Sequence, residues 1–185
     1  MDLIQQLEAY TPWNPQEAQD RLELLRRLRS GEDLYTRENA SAHLTASAWV
    51  VSPDRTRVLM AYHNLYNSWA WLGGHADGDR DLLRVALREV KEESGISAHA
   101  VMEDIYSVEI LSVAGHEKQG IYVPSHLHLN ITYLMEADPN LPVRCKPDEN
   151  SQVAWFSLAD AVTASQEPWL RERVYQKLNA KLKSR

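Results

Sequence analysis

A glycine loop that leads into one acidic amphipathic helix constrains the fold of this chain more than any other feature. The loop begins with Gly73–Gly74, and the apolar spacing that follows predicts a helix over Leu82–Ser94. Asp79 or Asp81 fits the N-cap position, and Gly95 fits the left-handed residue that ends a helix. The apolar side of such a helix packs on a core, which leaves its polar side available for chemistry.

The polar side of this predicted helix carries Arg88, Glu89, Glu92 and Glu93. Residues three and four apart share a helix face, so Glu89 lies beside both Glu92 and Glu93. Three carboxylates on one turn repel one another, and a hard divalent cation such as Mg²⁺ offsets that repulsion through oxygen ligands. The alternative is a solvated acidic face, which is the common role of such clusters.

The residues around this helix match a family motif. The Nudix box reads Gly, five residues, Glu, seven residues, then Arg-Glu-aliphatic-any-Glu-Glu-any-Gly-aliphatic. All fixed positions agree except the first glutamate, which is replaced by Arg80; the agreeing residues are Gly74, Arg88, Glu89, Val90, Glu92, Glu93, Gly95 and Ile96. The chain therefore resembles a Nudix hydrolase, on a motif far more specific than a lone glycine pattern.

The resemblance implies an α/β (α+β) fold, namely an α/β/α sandwich with a mixed β-sheet. The order of the elements predicted from the sequence agrees with that fold. Strands are expected over residues 43–51, 57–62, 69–72, 126–137 and 151–156, and one bent strand or two over 101–114. A polar loop is expected over 115–120 and a C-terminal helix over 167–183. The hydrolase domain is expected to span residues 43–185.

Residues 1–42 are predicted to form a helical N-terminal extension. Asn14 and Pro15 are typical of a helix start, and Glu17 can close a capping box. The extension either packs on the domain or pairs with a second copy in a homodimer.

The resemblance implies metal-dependent hydrolysis of a diphosphate linkage in a nucleoside diphosphate joined to another group. Position by position, Glu89, Glu92 and Glu93 correspond to the ligands of Mg²⁺ or Mn²⁺. Arg88 corresponds to the residue that orients these glutamates. A further carboxylate from outside the box is expected, and its candidates are Glu117, Glu149, Glu103 and Glu109.

Substrate-binding residues are predicted around the glycine loop. Gly73 and Gly74 let the backbone come close to a ligand, and His75 lies inside the loop. His128, on the polar side of its predicted strand, is a candidate to point into the site. Four residues of the loop before the glycines either are ordinary loop residues or form one wall of the site and stack on a flat group of the substrate. They are His63, Tyr66, Asn67 and Trp69.

Arg80 replaces the glutamate that commonly braces the box arginine in the family. We expect Arg80 to repel Arg88 and the loop to change shape. Asp79 or Asp81 could replace the missing glutamate as the partner of Arg88, but each lies one position away from it in sequence, and neighbours on a helix do not share a face. Activity is expected to survive, because the metal-binding glutamates are present.

Composition limits the partners of the chain. A net charge of −6 over 185 residues disfavours nucleic acid, whose phosphates need basic patches. The single cysteine, Cys145, excludes an internal disulfide. The lack of a long apolar run or a signal-peptide pattern predicts a cytoplasmic protein that does not enter a membrane. The expected partner is a small nucleoside diphosphate derivative.

Two alternatives to hydrolysis share the fold. One is a Nudix-like protein that binds a nucleotide metabolite and regulates without cleaving it, although the three glutamates are present. The other is isopentenyl diphosphate isomerase, which the Trp71–His75 segment faintly resembles. That enzyme needs a cysteine at this place, whereas Cys145 lies far along the chain.

Overall fold

The computed structural model describes residues 1–118 and 120–184, with Lys118 described by its backbone only. The helices are α1 Leu3–Ala9, α2 Pro15–Arg29, α3 Leu82–Ser94, α4 Leu158–Ala164 and α5 Gln176–Lys183, with a π-helical segment Leu170–Tyr175 before α5. The strands are β1 Ala42–Val51, β2 Arg57–His63, β3 Ser68–Ala70, β4 Leu72–His75, β5 His99–Ala100, β6 Ser107–Val113, β7 His116–Lys118, β8 Ile121–Val123, β9 His126–Glu136 and β10 Asn150–Ser157.

One mixed sheet forms the centre of the molecule. Its main path runs β10-β2-β1-β9-β5, with β3 on β2, β4 on β1 and β6 on β9. The β1–β9 pair is parallel and the remaining pairs are antiparallel, so the predicted mixed sheet is confirmed. Strands β7 and β8 form a separate two-stranded sheet.

Alternation along β1 sends side chains to two apolar layers. Leu44, Ala46 and Ala48 belong to a core that includes α1, α2 and α3. Trp49 and Val51 belong to a second core that includes the π-helical segment and α5. Because successive residues of a strand face opposite sides, one strand serves both layers. The predicted α/β/α sandwich is therefore confirmed.

Helix α3 has the bounds predicted from the sequence. Asp81 is its N-cap, where the carboxylate accepts a hydrogen bond from the backbone N–H of Arg84 at 3.0 Å. Gly95 ends it with a φ of 76°, a conformation that favours glycine. The side of α3 with Val85, Ala86 and Val90 is buried on the sheet, which fixes where its glutamates face.

The N-terminal extension packs on the sheet. Asn14 caps α2 by accepting from the backbone N–H of Glu17 at 2.9 Å, as predicted. The expected capping box is wrong, because the Glu17 carboxylate is buried and accepts from the hydroxyl groups of Tyr10 and Ser107 instead. From α2, Asp20 accepts a hydrogen bond from the backbone N–H of Ile110 in β6 at 3.2 Å.

Several predicted bounds differ from the structure. The strand expected over 69–72 is divided between β3 and β4, and Gly73–His75, predicted to open the glycine loop, belong to β4. Residues 101–114, expected to form one bent strand or two, contribute only β6 over 107–113, and acidic Glu103–Asp104, which suit a strand poorly, lie in the gap between β5 and β6. The loop expected over 115–120 contains strand β7, and Gln119 of that loop lies outside the described residues. The C-terminal helix, expected from Glu167, begins at Pro168 and includes the π-helical segment before α5. No helix among the residues described is long and apolar enough to cross a membrane.

Candidate active site

Two of the box glutamates lie on the inner side of α3. Glu89 and Glu93, four residues apart, are only 9% and 7% exposed. Glu92 lies on the outer side, where 45% of its side chain is exposed. The helix therefore presents one pair of carboxylates to the protein and leaves the third accessible to solvent.

Strand β4 passes close to this buried pair. A Cβ atom added to Gly74 would lie 2.5 Å from the Cδ atom of Glu89, so a larger residue there would displace the Glu89 carboxylate. The backbone N–H of Gly73 donates to Oε1 of Glu93 at 3.5 Å. The backbone of Gly73 and Gly74 therefore lies close to the carboxylates of Glu89 and Glu93 and helps to hold them beside β4.

Glu149 joins the two buried glutamates from the loop before β10. One carboxylate oxygen of each of Glu89, Glu93 and Glu149 lies within 4.8 Å of the other two, and we call these residues the acidic cluster. Two contacts position the loop: the backbone N–H of Asn64 donates to the Glu149 carbonyl at 3.0 Å, and the Asn150 amide donates to the Glu93 carbonyl at 3.1 Å.

The other proposed extra ligands lie elsewhere. Glu117 is exposed on β7 and Glu103 is exposed after β5. Glu109 is buried on β6 and pairs with Lys177 at 2.9 Å. Among the described residues, Glu149 is the carboxylate outside the box that the fold brings to Glu89 and Glu93.

The electrostatics of the acidic cluster favour a bound cation. Burial raises the pKa of Glu93 well above its usual range, and the charges of Glu89 and Glu149 raise it further. Burial also raises the pKa of Glu89, against the opposing effect of Arg88. Converging carboxylate oxygens are the ligands that Mg²⁺ and Mn²⁺ prefer, so the residues present fit such an ion.

Two cations border the cluster. Arg88 Nη2 lies 3.1 Å from Oε1 of Glu89, and Arg88 Nε lies 3.9 Å from Glu92. Lys146 bridges Glu92 and Glu149 through contacts of 3.2 and 3.1 Å. Sequence reasoning missed Lys146 and Asn150, since both contacts depend on how the proline-containing loop folds back onto α3.

The expected repulsion between Arg80 and Arg88 is wrong. The guanidinium of Arg80 lies over the ring of Tyr35, 4.7 Å from its centroid. Asp79 approaches Arg88 instead, with Oδ2 3.7 Å from Nη1. The helix-face argument against Asp79 fails because this residue precedes α3, where the backbone is not helical.

The predicted substrate residues separate into two regions. His63, the last residue of β2, and Tyr66, in the loop that follows, have ring centroids 4.6 Å apart. Asn64 of this loop contacts Glu149. Trp69 packs edge-to-face on Tyr62 and Phe156; the centroid distances are 5.6 and 4.7 Å.

His75 and His128 lie on the other side of the sheet. Gly74 faces Glu89, and His75, the next residue of β4, therefore points to the opposite face. There its Nε2 atom lies 3.2 Å from Nε2 of His128. Strand alternation places both histidines on the face away from the glutamates, so His128 does not point into that site. Their predicted role in substrate binding stays a prediction.

Comparison with known proteins agrees with this geometry. The family profile described as the NUDIX domain matches residues 42–178, which is most of the chain. The chain belongs to the Nudix family. No protein with a curated description matches it in sequence.

Solved structures of Nudix proteins share the fold. A NUDIX-family hydrolase from Clostridium perfringens has a TM-score of 0.53 at 19% identity, over 75% of this chain and 97% of its own. An Ap4A hydrolase from C. elegans has a TM-score of 0.56 at 21% identity, over 77% and 98%. The E. coli dihydroneopterin triphosphate pyrophosphohydrolase has a TM-score of 0.54 at 14% identity, over 72% and 92%. The TM-scores, at identities below 25%, show a common fold.

Proposed function

We propose that this Nudix protein is a metal-dependent hydrolase that cleaves a diphosphate linkage in a nucleoside diphosphate joined to another group. The observation that carries the proposal is the convergence of Glu89, Glu93 and Glu149 beside the glycine backbone of β4. Carboxylates buried together are costly unless a cation compensates them, so a metal-binding role accounts for their arrangement.

The acidic cluster would hold Mg²⁺ or Mn²⁺ through Glu89, Glu93 and Glu149, with Glu92 available from the solvent side. A bound ion of this kind supplies charge neutralisation for phosphate oxygens and lowers the pKa of a bound water. Arg88 keeps Glu89 in place, and Asp79 in turn contacts Arg88. Lys146 adds positive charge beside the acidic cluster, 3.1 Å from Glu149.

The proposed substrate class rests on the charge of the site and on the neighbouring structures. Two of those proteins, by their names, act on Ap4A and on dihydroneopterin triphosphate. The loop with His63 and Tyr66 provides aromatic rings next to the Glu149 loop, and such rings stack on flat groups. We assign base stacking to this loop rather than to Trp69, whose ring is engaged in packing.

The experiment is a phosphate-release assay over a panel of nucleoside triphosphates, nucleotide sugars, ADP-ribose, NADH and dinucleoside polyphosphates. Each is incubated with protein and Mg²⁺, Mn²⁺ or a chelator, and alkaline phosphatase then exposes phosphomonoester products. Metal-dependent release from one class supports the proposal and names the substrate. Glu93→Gln should lower that turnover at least ~100-fold, which is the scale for a group that stabilises charge in the transition state.

The matched control is Glu103→Gln, which makes the same chemical change at an exposed position. Equal turnover in Glu93→Gln and the wild type would refute the site. Metal binding without turnover across the panel would refute hydrolysis of these substrates and favour a protein that binds a nucleotide metabolite.

A further inference from the structure

A cluster of histidines lies on the sheet face opposite to the acidic cluster. We call His43 of β1, His75 of β4, and His126 and His128 of β9 the histidine cluster. Strand register brings them together: His43 pairs with His128, and Thr45 pairs with His75. The ring centroid of His43 lies 4.8 to 5.2 Å from those of the other three.

Ring nitrogens converge inside this cluster. Nε2 of His128 lies 3.2 Å from Nε2 of His75 and 3.1 Å from Nε2 of His126. A neutral imidazole nitrogen either donates one hydrogen bond or offers one lone pair. Nε2 of His128 therefore cannot form a full hydrogen bond with both neighbours. Hydrogen bonding alone does not explain why the three Nε2 atoms lie so close together.

His43 adds an unpartnered nitrogen. His43 is only 5% exposed, and its Nε2 atom is buried without a hydrogen-bond partner. Its other nitrogen, Nδ1, lies 3.2 Å from the carbonyl oxygen of Asn39. That carbonyl fixes the proton on Nδ1 and leaves the lone pair on Nε2. His126 is held in the same way, with Nδ1 2.9 Å from the carbonyl oxygen of Pro124.

This arrangement resembles the way proteins prepare histidines for metal ions. A ligating histidine usually donates its second N–H to a backbone carbonyl or carboxylate, which fixes its tautomer and orientation.

We propose that His43, His75 and His128 bind one late first-row transition-metal ion of the Zn²⁺ type. One ring nitrogen of each lies within 4.8 Å of the other two. Two ligands of a tetrahedral zinc ion lie about 3.3 Å apart, given zinc–nitrogen distances of about 2.0–2.1 Å. The 3.2 Å between His75 and His128 already agrees with that spacing.

Ligand chemistry distinguishes this site from the acidic cluster. Imidazole suits zinc, copper and nickel, whereas carboxylate suits magnesium and manganese. The two sites lie on opposite faces of β4, with Gly74 facing Glu89 and His75 facing His128. The protein would therefore carry two kinds of metal, and the histidine site does not depend on the proposed hydrolysis.

The test is a titration of metal-free full-length protein with Co²⁺ and Zn²⁺. Cobalt binding is followed by its visible absorption, and zinc affinity by competition with a chromophoric chelator. We expect one equivalent of tight binding in the wild type and in the Glu89→Gln/Glu93→Gln double variant. His128→Ala should weaken Zn²⁺ binding at least ~100-fold, since loss of outer-shell partners alone costs 10–100-fold.

The matched control is His99→Ala, because His99 is 72% exposed and outside the cluster. Thermal melting without metal shows whether each variant folds, and His75→Asn, at the half-buried end of β4, replaces His128→Ala if the latter does not. The proposal is overturned if the wild type does not bind micromolar Zn²⁺ or if a folded histidine variant binds like the wild type. It is also overturned if the glutamate double variant loses the site.

Discussion

Replacing Glu17 by glutamine should destabilise the protein strongly and change how its stability depends on pH. The Glu17 side chain is fully buried between the N- and C-terminal helices. Its Oε1 atom lies 2.9 Å from Nζ of Lys181 and 3.1 Å from Nζ of Lys177. Glutamine keeps the shape of the side chain but removes the negative charge that compensates two buried ammonium groups.

The structure sets the size of the effect. Burial alone would raise the pKa of Glu17, but Lys177 and Lys181 outweigh it and bring the pKa from 4.5 to about 2. At 1.36 kcal/mol per pKa unit, the ionised form contributes about 3 kcal/mol to folding at pH 7. Removing one partner of a buried ion pair costs about 3–5 kcal/mol, which agrees. In the variant, Lys177 would still have Glu109 as a partner at 2.9 Å, so we expect a loss of stability at the lower end of that range.

The pH dependence has a definite sign. A carboxyl group whose pKa is lower in the folded state stabilises the protein above its unfolded pKa, and this contribution is lost as pH falls. For Glu17 the loss begins near pH 4.5 and continues through about pH 2. The stability difference between wild type and Glu17→Gln should therefore fall from about 3 kcal/mol at pH 7 to about 1 kcal/mol at pH 3.

The assay is urea unfolding at pH 7 and pH 3, followed by tryptophan fluorescence and circular dichroism. Glu38→Gln is the control, because Glu38 is exposed in the same N-terminal extension; it should change stability by less than about 0.5 kcal/mol. Equal stability of Glu17→Gln and wild type at pH 7 would refute the reasoning. A difference that does not shrink at pH 3 would show that the charge of Glu17 is not its source.

Three further outcomes follow from the acidic cluster and the loop beside it. Gly74→Ala places a Cβ atom 2.5 Å from the Glu89 carboxyl carbon. We therefore expect at least ~10-fold weaker activation by Mg²⁺ in the turnover assay. An unchanged dependence of turnover on Mg²⁺ concentration would contradict the role of Gly74. Arg80→Glu should alter turnover by less than about twofold, because Arg80 stacks on Tyr35 and loses only a cation–π contact of about 0.5–1 kcal/mol; a large loss would give Arg80 a role of its own. Mg²⁺ or Mn²⁺ at about 100 times its Kd should stabilise the fold by about 2.7 kcal/mol and raise the Tm, and Glu93→Gln should abolish that shift; a wild-type Tm that does not respond to millimolar metal would argue against the site.

Helix α3 was predictable to the residue because its determinants are local. Asp81 and Gly95 mark its ends, and the apolar spacing between them sets its buried side. The same local reasoning could not choose between Glu149 and Glu117 as the carboxylate that joins Glu89 and Glu93. That choice depends on the contact between Asn64 and the Glu149 loop, which only the folded sheet creates.

Local rules also gave wrong placements where tertiary contacts override them. Glu17 has the spacing of a capping box, yet two lysines from the end of the chain draw its carboxylate into the interior. The histidines of β4 and β9 have suitable chemistry for a substrate site, but strand register sends them to the far face. A single sequence contains no record of either long-range pairing.

The position of α2 has a consequence for how the protein can be shortened. Strand β6 pairs only with β9 among the described strands, and Asp20 of α2 accepts the outward N–H of Ile110. A fragment that starts at residue 42, where the family match begins, would expose this strand edge and its unpaired backbone groups. Such edges are templates for intermolecular pairing, so the fragment would aggregate. The helical extension thus protects the Nudix domain from self-association.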